Sequence, residues 1–403
     1  MRIRLLSAII ISLIVLSIFS QTAIATEAAT ESEDTQLPHL SLSEFLEELE
    51  LSFDEYIAFV AKYAAEGMHL HFLEKNTARY IQFQNDNPGL TLSAVIAYVN
   101  VNVDIGFYRG IQSVPDPGSI YLLVNKNFKL PPGWEPHNLV DLGRGRRLHE
   151  EAAEQYDLMR SALHDMGYNV GFRSVYRSFT GQTNSYNRNV DNYGIWSADR
   201  AVARPGHSEH QTGLTVDLTG YRAALPWLAE NAHEFGFILR YPDGEYRKYH
   251  GYIYEPWHWR YVGPVIATAM YNEKIALFEE FYGKYLLSDV LHNVRAVILE
   301  ERIATEAEQR KLLESEEAER KAELAIIDEE RKNTENRIAE LENLSRSLTE
   351  EINTLTAQIE ELNSQLQDNE TEESNGNLVT RLVIALCGVT IIALISVILR
   401  KQE

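Results

Sequence analysis

Apolar residues recur at helical spacing between residues 40 and 67, where Phe45, Leu46 and Leu49 are followed by Tyr56, Phe59 and Val60. Recurrence at i, i+3 and i+4 predicts an amphipathic helix. Pro88-Gly89 breaks the next segment, and Thr91 or Ser93 is placed to cap a short helix over residues 94–99. After the turn-rich Pro115, Pro117 and Gly118, the run Tyr121-Leu-Leu-Val124 reads as a strand. Residues 148–166 predict a helix that ends before Gly167, and residues 227–235 another, closed by Gly236. Asp243-Gly244 predicts a tight turn between strand-like segments. Two stretches carry strand patterning. Residues 213–218 form a buried strand bearing Asp217, and Trp257-His-Trp-Arg-Tyr-Val262 alternates so that His258 and Arg260 share a face. Helices around a small, mostly antiparallel sheet define an α+β class.

From residue 296 the texture changes. Gly and Pro vanish until Gly376, and Glu, Lys, Arg, Ala and Leu dominate, as in a long solvated helix. Strict heptads run through it. Ile338, Ile352, Ile359 and Leu366 hold one seam position, with Ser345 interrupting; Leu341, Leu348, Leu355 and Leu362 hold the other. Ile at the first and Leu at the second favours a parallel two-stranded coiled coil. Upstream of Ile338 the seam degrades, with Arg310, Glu317, Arg320 and Arg331 falling on it. At 1.5 Å per residue, residues 296–370 form a stalk on the order of 100 Å long that joins two copies in a parallel homodimer.

Both ends carry membrane signals. A basic start, an apolar run over residues 5–19 and the small-x-small Ala23-Ile-Ala25 predict a secretory signal peptide, residues 1–25. A polar, acidic leader follows at 26–39. Near the other end, residues 382–399 are apolar and uncharged, about the minimum to span a bilayer, which predicts a transmembrane helix at 380–399. Arg400-Lys401 then keeps the tail, 400–403, in the cytoplasm and places everything before the span outside. The formal charge of −22 excludes a nucleic-acid partner, because no basic patch rises above the acidic background. Much of it is local: residues 300–370 hold 21 acidic and 9 basic residues. The single cysteine, Cys387, leaves no disulfide within the chain, so the head must be held by a packed core.

The chemistry lies in two motifs about forty residues apart, His210-Gln-Thr-Gly-Leu-Thr-Val-Asp217 and Glu255-Pro-Trp-His258. Two imidazoles and a carboxylate suit a catalytic Zn²⁺ that keeps one position open for water. Glu255 is then the spare carboxylate, close to the metal through the Glu-x-x-His link yet free to accept a proton. Ser208 and Gln182 are candidates for touching substrate, and Trp257 for walling the site and desolvating Glu255. His69 and His71 lack a third ligand nearby and read as surface histidines; His233 and His250 read as structural or exposed. His207 stays open between a supporting donor, a substrate contact and a turn residue.

Ser174-Val-Tyr-Arg-Ser178, Pro205-Gly-His-Ser-Glu-His-Gln-Thr-Gly-Leu-Thr-Val-Asp217 and Tyr254-Glu-Pro-Trp-His-Trp-Arg-Tyr-Val-Gly263 resemble the VanY-type D-alanyl-D-alanine carboxypeptidases, zinc peptidases of the bacterial cell wall. The resemblance covers roughly residues 85–265, with all three motifs in family order. It implies His210, Asp217 and His258 as zinc ligands, Glu255 as general base and Arg177 as the group that stabilises the developing oxyanion. His207 and His250 depart from the Tyr and the small polar residue common at those places, and neither change removes a ligand. The implied organisation is a helical accessory region at 40–130, a zinc carboxypeptidase domain at 131–290, the stalk and the membrane helix. The implied activity is removal of the terminal D-Ala from peptidoglycan stem peptides, on the outer face of a bacterial cell membrane, by a single-pass protein. An L,D-carboxypeptidase of the same fold is the nearest rival reading. An inert wall-binding adaptor is the rival from another class, and the complete ligand set with Glu255 counts against it.

Overall fold

The computed structural model describes residues 37–369 and Gly388. The chain divides into two compact units, 1–304 and 305–403. The expected signal peptide at 1–25, most of the expected acidic leader at 26–39 and the expected transmembrane helix at 380–399 (Gly388 apart) lie outside the described residues. Among the described residues no helix is long and apolar enough to cross a membrane.

The first unit has the α+β architecture that the patterning predicts. The segment from 40 to 67 forms two helices, α1 (Leu42–Leu49) and α2 (Phe53–Ala65), because each carries its own start signal. Ser41 with Glu44, and Ser52 with Glu55, make reciprocal capping boxes, and Glu50 turns into the left-handed region between them. Next come α3 (Thr77–Asp86) and α4 (Leu92–Asn100), the latter capped by Thr91. Short ladders join β1 (Gln112–Ser113) to β2 (Phe128–Lys129) and β3 (Leu139–Asp141) to β4 (Arg147–His149). The helix α5 (Glu150–Asp165) leads to the principal sheet, made of β5 (Gly171–Ser174), β6 (Thr215–Thr219), β7 (Phe237–Leu239) and β8 (His258–Tyr261). Its spatial order is β5-β6-β8-β7, antiparallel throughout. Helices α6 (Phe179–Ala201), α7 (Leu225–Asn231), α8 (Arg247–His250), α9 (Pro264–Glu273) and α10 (Phe278–Phe281) connect and flank it.

One core joins the two halves of this unit. Phe45 and Tyr56 of the first helices pack with Phe281 and Tyr285, and the Tyr56 hydroxyl donates to the Tyr285 carbonyl at 2.9 Å. The last helix, α11 (Ser288–Asn369), begins within that core, where Val290, Leu291, Val294 and Ile298 are buried. Its described residues in the second unit, 305–365, are exposed throughout.

Three expectations need correction. Tyr121-Leu-Leu-Val124 is buried but is not a strand; the carbonyls of Ile120 and Leu122 accept from the Arg260 guanidinium at 3.1 and 3.0 Å instead of from a neighbouring strand. Asp243-Gly244 opens a 3₁₀ turn that runs into α8, so no hairpin forms there. His71 is buried rather than at the surface, its ring hydrogen-bonded to the Ser93 carbonyl at 3.0 Å. Periodicity does not register such a histidine, because its neighbours in sequence are not its neighbours in space.

Candidate active site

Strand register assembles the site. β6 and β8 pair so that Asp217 lies directly opposite His258, and Thr215 opposite Arg260. Residues opposite one another share a sheet face with Cβ atoms about 5 Å apart, which delivers the carboxylate and the imidazole to the same point. On the other side of β6, Ser174 of β5 pairs with Asp217 across an irregularity at Arg173. His210 arrives from a 3₁₀ turn, Glu209–Thr212, that ends at Gly213 in the left-handed conformation. A Cβ at Gly213 would meet the Leu139 side chain at 2.5 Å, so both the turn and the close packing require glycine there.

The three groups converge. His210 Nε2 lies 3.5 Å and His258 Nδ1 lies 3.3 Å from Asp217 Oδ1, and all three candidate ligand atoms fall within 4.8 Å of one another. The far nitrogens are committed elsewhere. His210 Nδ1 donates to the Val175 carbonyl at 2.8 Å, and His258 Nε2 donates to Glu209 Oε2 at 3.3 Å. A carbonyl and an ionised carboxylate only accept, so the lone pairs of both rings face inward, the arrangement that metal-bound histidines adopt. Asp217 Oδ1 is buried with no hydrogen-bond donor. A tetrahedral site with bonds of about 2.0–2.1 Å has ligand atoms roughly 3.3–3.5 Å apart, so these donors fit a small divalent cation.

Glu255 sits beside them, with Oε2 3.6 Å from His258 Nδ1. Burial pushes its carboxyl up to about 7, against the opposing pull of His258. Arg177 lies just past β5, and its backbone N–H donates to the His210 carbonyl. The guanidinium is held by Gln182 Oε1 and Ser174 Oγ, each at 2.9 Å, while the Gln182 amide donates to the Ala203 carbonyl at 2.6 Å. Gln182 therefore orients Arg177. Ser208 is buried at the head of the turn that carries His210. Trp257 precedes β8, half-buried under the Arg173 guanidinium, 5.0 Å from its ring centroid, and the Trp257 carbonyl accepts from Leu218 N–H. His207 is buried, with Nδ1 donating to the Asn125 carbonyl at 2.8 Å. His250 is buried as well, and His233 stacks on Tyr271 with ring centroids 4.0 Å apart.

Sequence reasoning did not single out the group beneath the site. Glu209 is fully buried and accepts from Arg240 at 2.7 Å, from Arg260 at 3.1 Å and from His258. Arg240 also makes a bidentate pair with Glu279 at 2.9 and 2.6 Å. Burial alone would raise the Glu209 carboxyl, but the two guanidinium groups outweigh it and hold it well below the usual range. Glu209 thus fixes both the orientation and the tautomer of His258. One signal was present: Arg260 on the His258 face of a buried strand demands a carboxylate.

The chain is similar in sequence to known carboxypeptidases. The VanY family, described as D-alanyl-D-alanine carboxypeptidase, matches residues 145–264. A Bacillus subtilis protein named as a carboxypeptidase, YodJ, is 35% identical over 202 residues, 45% of this chain and 73% of that one. A bifunctional D-Ala-D-Ala dipeptidase and carboxypeptidase of Enterococcus gallinarum is 32% identical over 42% of this chain and 95% of that one. Among solved structures, the LD-carboxypeptidase LdcB is 34% identical with a TM-score of 0.41, covering 44% of this chain and 91% of that one. VanYB with D-alanine-D-alanine is 32% identical with a TM-score of 0.37, covering 40% and 96%.

Proposed function

The chain belongs to the VanY family of D-alanyl-D-alanine carboxypeptidases, and from that premise we propose a zinc-dependent enzyme that removes the terminal D-Ala from peptidoglycan stem peptides. The observation that carries this is the convergence of His210, Asp217 and His258 with Glu255 held 3.6 Å from His258 in a buried position. His210 Nε2, His258 Nδ1 and Asp217 would hold the metal, and this mixed nitrogen and oxygen set is one that Zn²⁺ favours. Bound there, Zn²⁺ supplies Lewis acidity and lowers the pKa of water.

The remaining chemistry belongs to the chain. Glu255 takes the proton from the attacking water and returns it to the departing amino group. Desolvation brings its carboxyl near neutrality, where accepting and returning a proton are comparably easy. Arg177, fixed by Gln182 and Ser174, keeps further N–H donors for the scissile carbonyl oxygen, and its interaction strengthens as negative charge develops. Ser208 and Trp257 are proposed as contacts to the peptide. Mass spectrometry of purified muropeptides after incubation with the zinc-loaded protein tests the reading. Pentapeptide stems are expected to become tetrapeptides. Conversion of tetrapeptides alone would make the enzyme an L,D-carboxypeptidase, and unchanged stems would reject the proposal. Metal content gives an independent check: near one zinc per chain in the wild type, falling sharply in His210→Ala and in His258→Ala. Full occupancy in both variants would reject the ligand assignment.

The second unit carries a further part of the reading, a parallel homodimer. Ile338, Leu341, Leu348, Ile352, Leu355, Ile359 and Leu362 are 37–57% exposed on the single helix, an apolar stripe interrupted at Ser345 and without a partner among the described residues. At about 1.5–3 kcal/mol for each fully buried side chain, and less for partial burial, a second copy would gain several kcal/mol by covering it. Sedimentation of residues 38–369 is expected to show dimers, and Leu348→Asp with Leu355→Asp to give monomers. Monomers in both cases would leave the helix as a spacer. The leader peptide and the apolar run near the C-terminus support placing the enzyme on the outer face of a bacterial membrane.

A further inference from the structure

A hollow opens near the candidate active site. Its volume is about 400 Å³, and Lys126, Arg200, Arg204 and Arg247 line it, with Asp199 the one carboxylate among them. Asp199 is already engaged: Arg204 grips both its oxygens at 2.9 and 2.8 Å, and the Tyr186 hydroxyl donates to it. Arg200 has no carboxylate within ion-pair distance among the described residues; its guanidinium lies 4.5 Å from the centre of the Trp196 ring. Arg247 pairs at 3.6 Å with the exposed Asp243. In a chain of charge −22, such a surplus of cations in one hollow runs against the overall field.

Lys126 is the most telling of these groups. It is 2% exposed, and its ammonium donates to the carbonyls of Asp199 and Gly251, with no carboxylate in ion-pair contact among the described residues. The Tyr252 ring lies beneath it at 4.0 Å, and Phe107 and Tyr108 stand within 5.5 Å. Gly251 makes this packing possible, since a Cβ there would meet the Phe107 ring at 2.5 Å. Desolvating an ammonium without a counter-ion is costly, and burial pulls Lys126 down to about 7. An anion entering the hollow would offset that cost. The hollow is also close to the chemistry. Tyr252 packs on Tyr241, and Tyr241 on His258, each at 4.7 Å between ring centroids. Two such steps put it within about three extended residues of the metal-facing imidazole. On a second side, Tyr108 meets His207 edge-on at 5.1 Å.

We propose that this hollow is a second recognition subsite, which binds a free carboxylate carried by the substrate two to three residues upstream of the scissile bond. It rests on the peptidase reading above. The aromatic walls accommodate the apolar parts of the peptide, and Arg200 and Arg247 on the lining draw the carboxylate toward Lys126. An enzyme so built distinguishes stems with free carboxylates from stems in which those carboxylates are amidated.

The experiment compares three peptides ending in D-Ala-D-Ala: a stem with its upstream carboxylates free, the same stem amidated there, and a short acyl-D-Ala-D-Ala that does not reach the hollow. Charge-assisted hydrogen bonds imply a wild-type preference in kcat/KM of roughly tenfold or more for the free stem. In the double variant Arg200→Ala, Arg247→Ala that preference is expected to fall close to unity, with the short peptide cleaved at the wild-type rate. Lys126→Met, if it folds, gives the same loss. Equal preference in variant and wild type, or none in the wild type, overturns the subsite. If no peptide is cleaved, the peptidase reading fails instead, and calorimetric binding of the free and amidated stems to wild type and double variant decides the hollow alone.

Discussion

Glu255→Gln is expected to retain one zinc per chain and lose about 10²–10⁴-fold in kcat. The amide is nearly isosteric with the carboxylate, and Glu255 is not among the three converging ligand atoms, so metal content should hold. What disappears is the basic oxygen 3.6 Å from His258 Nδ1 and, with it, the route by which water loses a proton and the departing amine gains one. KM should change little, because proton transfer belongs to the transition state rather than to binding. Zinc analysis alongside steady-state kinetics on a D-Ala-D-Ala peptide separates the two effects. Turnover at the wild-type level would show that another group is the base, and loss of zinc would move Glu255 into the ligand set.

Arg240→Met is expected to lower the stability of the first unit by about 3–5 kcal/mol, the usual result of removing one partner from a buried ionic network. Arg240 is the only guanidinium that bridges Glu209 and Glu279 among the described residues, and all three side chains are sealed from solvent. Without it, the only side-chain donor left to Glu279 among the described residues is Asn125 at 3.2 Å, and Glu209 keeps Arg260 and His258. The uncompensated carboxylate must then take up a proton or draw in water. Urea denaturation followed by tryptophan fluorescence measures the change. A loss below about 1 kcal/mol would mean the network contributes only geometry. The paired change Arg240→Met, Glu279→Leu should recover much of the loss, since replacing both partners leaves no buried charge unmatched.

Much of the catalytic constellation was legible because its members lie within two short motifs whose internal spacing is a backbone property. On an extended strand, His258 and Arg260 share a face wherever that strand lies, and both indeed reach Glu209. Glu255 stays near His258 because only two residues separate them. Helix starts were legible for the same reason, and Thr91 caps α4 as its sequence implies. The split of α1 from α2 was not foreseen, although Ser52 and Glu55 spell out the second capping box.

The buried hub was hidden for a physical reason. Glu209 and Glu279 are seventy positions apart, and a carboxylate reads as solvated until the guanidinium that neutralises it is located in space. Tyr121-Leu-Leu-Val124 misled because a continuous apolar run records burial without recording a partner strand; its side chains join the core, and the Ile120 and Leu122 carbonyls accept from Arg260. The cationic hollow escaped for the same reason, its walls coming from residues near 107, 126, 200 and 250. By itself the sequence determined which residues are candidates for the site, the class of fold and the heptad seam, because each is written in residues close enough for local geometry to relate them. Only the tertiary structure decided which buried charges meet, which nitrogen of each histidine faces inward, and that a cation-lined hollow lies two aromatic rings from His258. Those outcomes depend on contacts between distant segments, and no local periodicity encodes them.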